Sequence, residues 1–209
     1  MSHPSTFWDR IAKRYARQPV ADEAAYQKKL SVTRQHLAPS NHVLEFGCGT
    51  GTTAIYHAPV VADVHAIDIS ANMLAIAKQK ATDSGVDNIS FEQADLHELT
   101  CPNASWDVVL GMSILHLVAN KDAEIQRAYE LLKPGGVFIT STVCIEDSGA
   151  WFKYVAPIFR WLPFLPSVAV FSERTLKDSM ETAGFEIEYD WRPSPDKSVF
   201  IVARKPLQP

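Results

Sequence analysis

The chain has 209 residues, 46% of them hydrophobic and 21% charged, with a formal net charge of −4. That is the size and balance of one soluble globular domain with a full core. The acidic balance argues against general affinity for nucleic acid, which needs a strongly basic face, and no run of about 18 apolar residues offers a membrane span. The opening Met-Ser-His-Pro-Ser lacks the basic and apolar regions of a secretory signal. Cys48, Cys101 and Cys144 are widely spaced and odd in number. Reduced thiols in a cytoplasmic protein are therefore expected, with neither a disulfide framework nor a metal site.

Taken in chain order, residues 1–37 read as helical, with Trp8, Ile11 and Tyr15 on one face. His42–Phe46 reads as the first strand. Residues 43–51, Val-Leu-Glu-Phe-Gly-Cys-Gly-Thr-Gly, run from this strand into a glycine-rich turn, followed by a helix-compatible stretch at Thr52–His57. Glycines there remove the Cβ atoms that would hold a ligand away from the backbone. Strand, glycine turn and helix in that order make a nucleotide-type cradle at the carboxyl edge of a parallel sheet. The dinucleotide fingerprint G-x-G-x-x-G is disfavoured, because Thr52 stands where its third glycine belongs.

Asp63–Ile69 reads as the second strand, and Ser70 as the cap of a helix running to about Ser84. Met73, Leu74 and Ala77 share a face of that helix, and Gly85 ends it. Ile89–Gln93 is a third strand. Trp106–Gly111 is a fourth, and its continuous apolar run suits burial on both sides. Asp122–Leu132 reads as a helix stopped by Lys-Pro-Gly-Gly, with a fifth strand at Val137–Val143. A helix at Glu173–Ala183 ends at Gly184, and Phe185–Tyr189 with Val199–Ala203 make a terminal antiparallel hairpin. This alternation predicts a parallel sheet with helices on both faces. Residues 144–172 interrupt it as an irregular insertion.

Asp68 ends the second strand, where an acid can accept two hydrogen bonds from a ribose diol; the other reading is an acid serving the following helix N-terminus. Asp95 can accept from an exocyclic adenine amine with the Leu96 backbone beside the ring, or be a solvated loop acid. The carbonyls of Gly111 and Met112 are candidates for an ammonium group. Glu45 either orients the glycine turn or meets that same ammonium group.

The segments Glu-Phe-Gly-Cys-Gly-Thr-Gly, Ala-Ile-Asp-Ile-Ser, Gln-Ala-Asp, Trp-Asp-Val-Val-Leu and Leu-Leu-Lys-Pro-Gly-Gly-Val-Phe-Ile occur in that order. In order and spacing they resemble the small-molecule class I methyltransferases that use S-adenosylmethionine (SAM), above all the broad group with ubiquinone- and menaquinone-pathway enzymes. The resemblance covers about residues 40–142 and the final helix and hairpin. It implies a Rossmann-like α/β fold, a single domain with a seven-stranded, mostly parallel sheet in the order 3-2-1-4-5-7-6. It also implies SAM as cofactor, S-adenosylhomocysteine (SAH) as product, and a cofactor-binding set of Tyr15, Glu45, Phe46, Gly47, Cys48, Gly49, Thr50, Gly51, Asp68, Ile69, Met73, Asp95, Leu96, Gly111 and Met112. Residues 1–37 then serve as a helical lid, with Tyr15 near the methionine end of SAM, or simply pack on the sheet.

SAM supplies its own activation, so the protein must align the acceptor and exclude water, and a strong base is optional. No Ser-His-Asp order, carboxylate pair or metal cluster is evident, and the metal-binding pattern of catechol methyltransferases is missing after the fourth strand. His116, on an expected helix at Ile114–Val118, is either a general base or a partly buried structural histidine. Tyr15 is the other catalytic candidate. Between residues 151 and 171 only Lys153 and Arg160 are charged, among many aromatics, including Phe159 and Trp161. That patch suits an acceptor pocket, a transient membrane contact or a dimer interface. The cations Lys13, Arg14, Arg17, Lys28 and Lys29 would aid a membrane contact or be merely solvated. The expectation is a metal-independent methyltransferase, monomer or homodimer, acting on a small apolar or amphipathic acceptor such as a lipid or quinone. A non-catalytic SAM-binding sensor or assembly module is the alternative.

Overall fold

The computed structural model describes residues 5–147 and 168–207. Helices α1 (Ser5–Tyr15) and α2 (Glu23–Gln35) precede the sheet. Then follow β1 (His42–Phe46), α3 (Thr52–His57), β2 (Asp63–Asp68), α4 (Ala71–Asp83), β3 (Ile89–Gln93), β4 (Trp106–Met112), α5 (Lys121–Leu131), β5 (Leu132–Thr142), α6 (Glu173–Thr182), β6 (Glu186–Trp191) and β7 (Val199–Arg204). The seven strands lie in the order β3-β2-β1-β4-β5-β7-β6. β7 alone enters antiparallel to β5 and pairs antiparallel with β6.

The order of the elements follows from burial. Consecutive residues of the central strands face opposite sides, so both must be apolar. Val43, Val108, Val137 and Phe200 enter one core, with Ala54 of α3, Leu74 of α4 and Val32 of α2 against it. Their neighbours Leu44, Val109, Phe138 and Ile201 enter the other, with Ile125 and Leu131 of α5 and Leu176 and Met180 of α6. The strand carboxyl ends meet at the edge between these layers.

The helix punctuation agrees with its chemistry. Ser70 caps α4 by accepting from the Met73 N–H at 3.1 Å, and Asn120 and Ser172 cap α5 and α6 in the same way. The N-terminal region is helical as expected, in two pieces, with α1 ending at Tyr15 and α2 capped by Asp22. Two expectations need correction. The Lys-Pro-Gly-Gly segment does not precede β5 but lies inside it, because Trp106 of β4 already pairs with Leu132. Residues 114–118 form a turn rather than a helix, closed by the Leu117 N–H donating to the Ile114 carbonyl at 2.7 Å. That segment is too short between β4 and the Asn120 cap for helix nucleation to be favourable. Of the insertion, 148–167 lies outside the described residues, Phe159 and Trp161 included. Among the described residues no helix is long and apolar enough to cross a membrane, and the three cysteines form no disulfide.

Candidate functional site: a glycine cradle at the sheet edge

The turn after β1 is held from β2. The Cys48 N–H donates to the Ile67 carbonyl at 3.0 Å, and the Gly49 N–H donates to Asp68 Oδ2 at 2.8 Å. Asp68 Oδ1 accepts from the Ser70 N–H at 2.8 Å. Each carboxylate oxygen of Asp68 therefore has one backbone donor and lone-pair capacity to spare. Both readings of Asp68 have a physical basis: it organises the turn and the α4 N-terminus, and it retains acceptors for a diol. Burial pushes its carboxyl up, the Ser70 and Gly49 N–H groups pull it down, and the charge of Asp9 pushes it up again.

The glycines of the turn do different jobs. Gly49 has φ +55°, and a Cβ built there would meet nothing within 4 Å. Its outer face borders open space. Gly51 has φ +73°, and its Cβ would lie 2.8 Å from the Ala77 Cβ. It is bare so that α4 can approach. At Gly47 a Cβ would fall 2.6 Å from Cγ1 of Ile114, which seats the turn after β4 on the glycine loop.

Glu45 lies on the same edge, 2% exposed. Its Oε2 is buried with no hydrogen-bond partner among the described residues. Burial, then the nearby Asp68 charge, pushes its carboxyl up to about 8. An orphaned buried carboxyl oxygen beside a bare glycine fits a cationic group of a ligand. Cys48, by contrast, is an inert thiol, driven upward by burial. Phe46 and Met73 are buried beside the cradle, and Thr50 is held by the Lys80 ammonium at 2.9 Å.

Other sequence candidates fall around this cradle. Asp95 Oδ1 accepts the N–H groups of His97 and Glu98 at 2.9 and 2.8 Å, so the loop acid orders its own turn. Leu96 is buried next to it, and the Ile69 carbonyl takes the Gln93 amide at 3.0 Å. Gly111 pairs with Thr140 in the β4–β5 ladder, and its carbonyl also accepts from the Thr140 hydroxyl at 2.7 Å. Met112 pairs with Ser141 at the end of β4. His116 follows in the turn. Its Nδ1 is buried without a partner among the described residues, and burial lowers its pKa to about 4. A neutral imidazole with so low a pKa is a weak base near neutral pH.

The first helix docks on the N-terminus of α4 by a device that has no sequence signature. Asp9 Oδ1 accepts from the Ser70 hydroxyl at 2.6 Å and the Asn72 N–H at 3.0 Å, and the Asn72 amide donates to the Asp9 carbonyl at 3.0 Å. Ala12 is the buried residue of α1, not the Trp8–Ile11–Tyr15 face. Tyr15 is 45% exposed; burial of its hydroxyl end, then the Asp68 charge, pushes its pKa up. On α2, the Tyr26 hydroxyl is paired with Thr53 and feels the charge of Glu45. Lys28 and Lys29 are not a solvated basic face. Lys28 sits 4.0 Å above the Trp191 ring, and Lys29 binds Ser141 and Ser198.

A sheet in this order, with an acid-bearing glycine turn after β1 and an acid closing β2, defines the class I SAM-dependent methyltransferase fold. Residues 43–136 match the family described as methyltransferase domain. The chain is 30% identical over 170 residues to a demethylmenaquinone methyltransferase of Symbiobacterium thermophilum, covering 77% of this chain and 66% of the relative. It is 31% identical over 162 residues to a ubiquinone/menaquinone biosynthesis C-methyltransferase of Coxiella burnetii, covering 74% and 64%. A SAM-dependent methyltransferase structure from Mesorhizobium loti superposes with a TM-score of 0.70 at 22% identity, over 87% of this chain and 98% of that one. The chain belongs to the class I SAM-dependent methyltransferases. It spans two thirds or less of the length of these curated relatives.

Proposed function

We propose that the chain transfers a methyl group from SAM to a small apolar or amphipathic acceptor, a quinone-like or lipid molecule being one specific version. The observation that carries this reading is the open face of Gly49 between the orphaned Glu45 carboxyl and the Asp68 carboxylate. The cradle fits the cofactor. Asp68 would hold the ribose hydroxyls and Glu45 the ammonium group, near the Gly111–Met112 end of β4. Asp95 and Leu96 would take the adenine, and α1 with Tyr15 would cover the opening. When bound, SAM supplies an electrophilic methyl, so positioning and exclusion of water fall to the protein. His116, neutral near pH 7, serves as packing in this reading. In this reading the reaction needs no metal, because the sulfonium of SAM already activates the methyl. The names of the curated relatives support a quinone-like acceptor.

The test compares two glycines. SAH stabilises the native chain by mass action if it binds there alone. Gly49→Val places a branched side chain in the open face, strained at φ +55° but without a protein clash. It is expected to fold and to lose the SAH-induced rise in Tm. Gly51→Ala meets Ala77, so it is expected to lower the Tm of the apo chain instead. An SAH shift in Gly49→Val equal to that of wild type would refute the cradle.

A further inference from the structure

Lys29 is a cation at the sheet edge that, among the described residues, ends on two serine hydroxyls and makes no ion pair. Its Nζ donates to Ser141 Oγ at 2.8 Å and Ser198 Oγ at 2.6 Å, and the Ser141 hydroxyl donates in turn to Ser198 Oγ at 3.2 Å. An ammonium has three protons and a serine hydroxyl has one. Among the described residues, then, one Lys29 proton and the Ser198 hydroxyl proton have no acceptor. No carboxylate among those residues lies within ion-pair distance of Lys29; Asp22 acts on it only through space. Burial pushes the Lys29 ammonium below the ordinary lysine range.

Lys205 shows what a structural lysine looks like in this fold. Its ammonium ends on two backbone carbonyls, of Tyr129 and Leu132, at 2.7 and 2.8 Å, strong acceptors that leave no donor cluster. Lys29 ends on hydroxyls that pass the donor capacity onward. A half-buried cation whose acceptors among the described residues are two neutral hydroxyls lacks the anionic partner that would offset its desolvation.

The location gives that partner an identity. Ser141 pairs with Met112, and the Ser113 N–H donates to the Ser141 carbonyl at 2.7 Å. The Lys29 cluster is thus one strand, about 4.8 Å, from the end of β4, where the amino acid end of the cofactor belongs. Lys29 is also one turn along α2 from Tyr26, which feels the charge of Glu45. We infer that Lys29 and Ser198 form an anion-binding subsite for the methyl acceptor, so that the acceptor carries an acidic oxygen, a phenolate or a carboxylate, next to its apolar body. This inference rests on the methyltransferase reading above and adds the charge of the substrate to it.

The test uses the full chain saturated with SAH and two probe pairs, each an anion and its neutral methyl derivative: 4-nitrophenolate against 4-nitroanisole, and benzoate against methyl benzoate. The pairs separate a phenolate acceptor from a carboxylate one. The wild type is expected to bind at least one anion about tenfold or more tightly than its neutral methyl counterpart, the worth of one charge-assisted contact. Lys29→Gln keeps hydrogen-bond donors but removes the charge, and is expected to bring that ratio close to one while SAH affinity stays as in wild type. Ser198→Ala, which leaves Lys29 in place, is expected to lower the ratio several-fold, and it carries the test should Lys29→Gln not fold. No anion preference in the SAH-bound wild type, or the same preference in both variants, would overturn the inference while leaving the parent reading intact. Failure of the wild type to bind SAH would overturn both.

Discussion

Asp68 concentrates the chemistry of the cradle in one side chain. It accepts the Gly49 and Ser70 N–H groups, and in the proposed complex it also accepts from the ribose. Asp68→Asn tests whether those roles separate. The amide has one acceptor oxygen, so one backbone N–H loses its partner and the diol loses a charge-assisted bond. SAH affinity is expected to fall by about 2–3 kcal/mol, with a smaller loss of apo stability, as read by calorimetry and thermal melting. Unchanged SAH affinity in the folded variant would remove the ribose assignment. This residue was legible in sequence because strand, turn and acid are local. Lys29 was not. As sequence it is one of several N-terminal cations, and its meaning depends on Ser141 and Ser198, more than a hundred residues away.

At the scale of elements, the central strands could be read directly because burial on both faces forces continuous apolar runs such as Val108–Leu110. Errors fell where tertiary pairing overrides a local signal. Gly135 and Gly136 read as helix stop and turn, yet they lie in β5 because β4 extends its pairing to Leu132. The attachment of α1 was also invisible, since an aspartate in a helix carries no sign that it will cap a distant one. Asp9→Ala removes both side-chain bonds to Ser70 and Asn72, at a cost of about 1–2 kcal/mol. For a chain of this size that is a fall in Tm of roughly 2–8 °C. The exposed Lys13, Arg14 and Arg17 provide a readout. Tryptic cleavage there is expected to be faster in Asp9→Ala than in wild type, and slowed in wild type by SAH if α1 is a lid over the cofactor. Cleavage indifferent to both the substitution and SAH would leave α1 as plain packing.

The whole molecule carries its site as a pH dependence. Glu45 has a folded pKa of about 8, above its unfolded value of 4.5, so its contribution to stability is lost as pH rises through that interval. His57, which is fully buried with both ring nitrogens unpartnered among the described residues, is lowered to about 4 by burial and then by Arg34. His116 is lowered to about 4 by burial. Each histidine contributes stability that is present above 6.5 and lost as pH falls toward 4. Between 4.5 and 6.5 the two histidines outweigh Glu45, and above 6.5 Glu45 acts alone. Apo stability from these three groups is expected to peak near pH 6.5 and then fall toward pH 8, with a slope of up to about 1.4 kcal/mol per pH unit. Denaturant midpoints across this range measure it, and Glu45→Gln should flatten the alkaline limb. An unchanged alkaline limb in that variant would show that Glu45 is not the buried acid responsible.

Turnover of methyl-labelled SAM decides whether this cradle serves methyl transfer or cofactor binding alone. The chain is incubated with labelled SAM and fractions of a cell extract containing lipids, quinone precursors and small amines or thiols. SAH is expected to form only with chain and one fraction together, with the label in an extractable small molecule. SAM held by the chain with no chain-dependent SAH from any fraction would contradict it and leave a non-catalytic SAM-binding module.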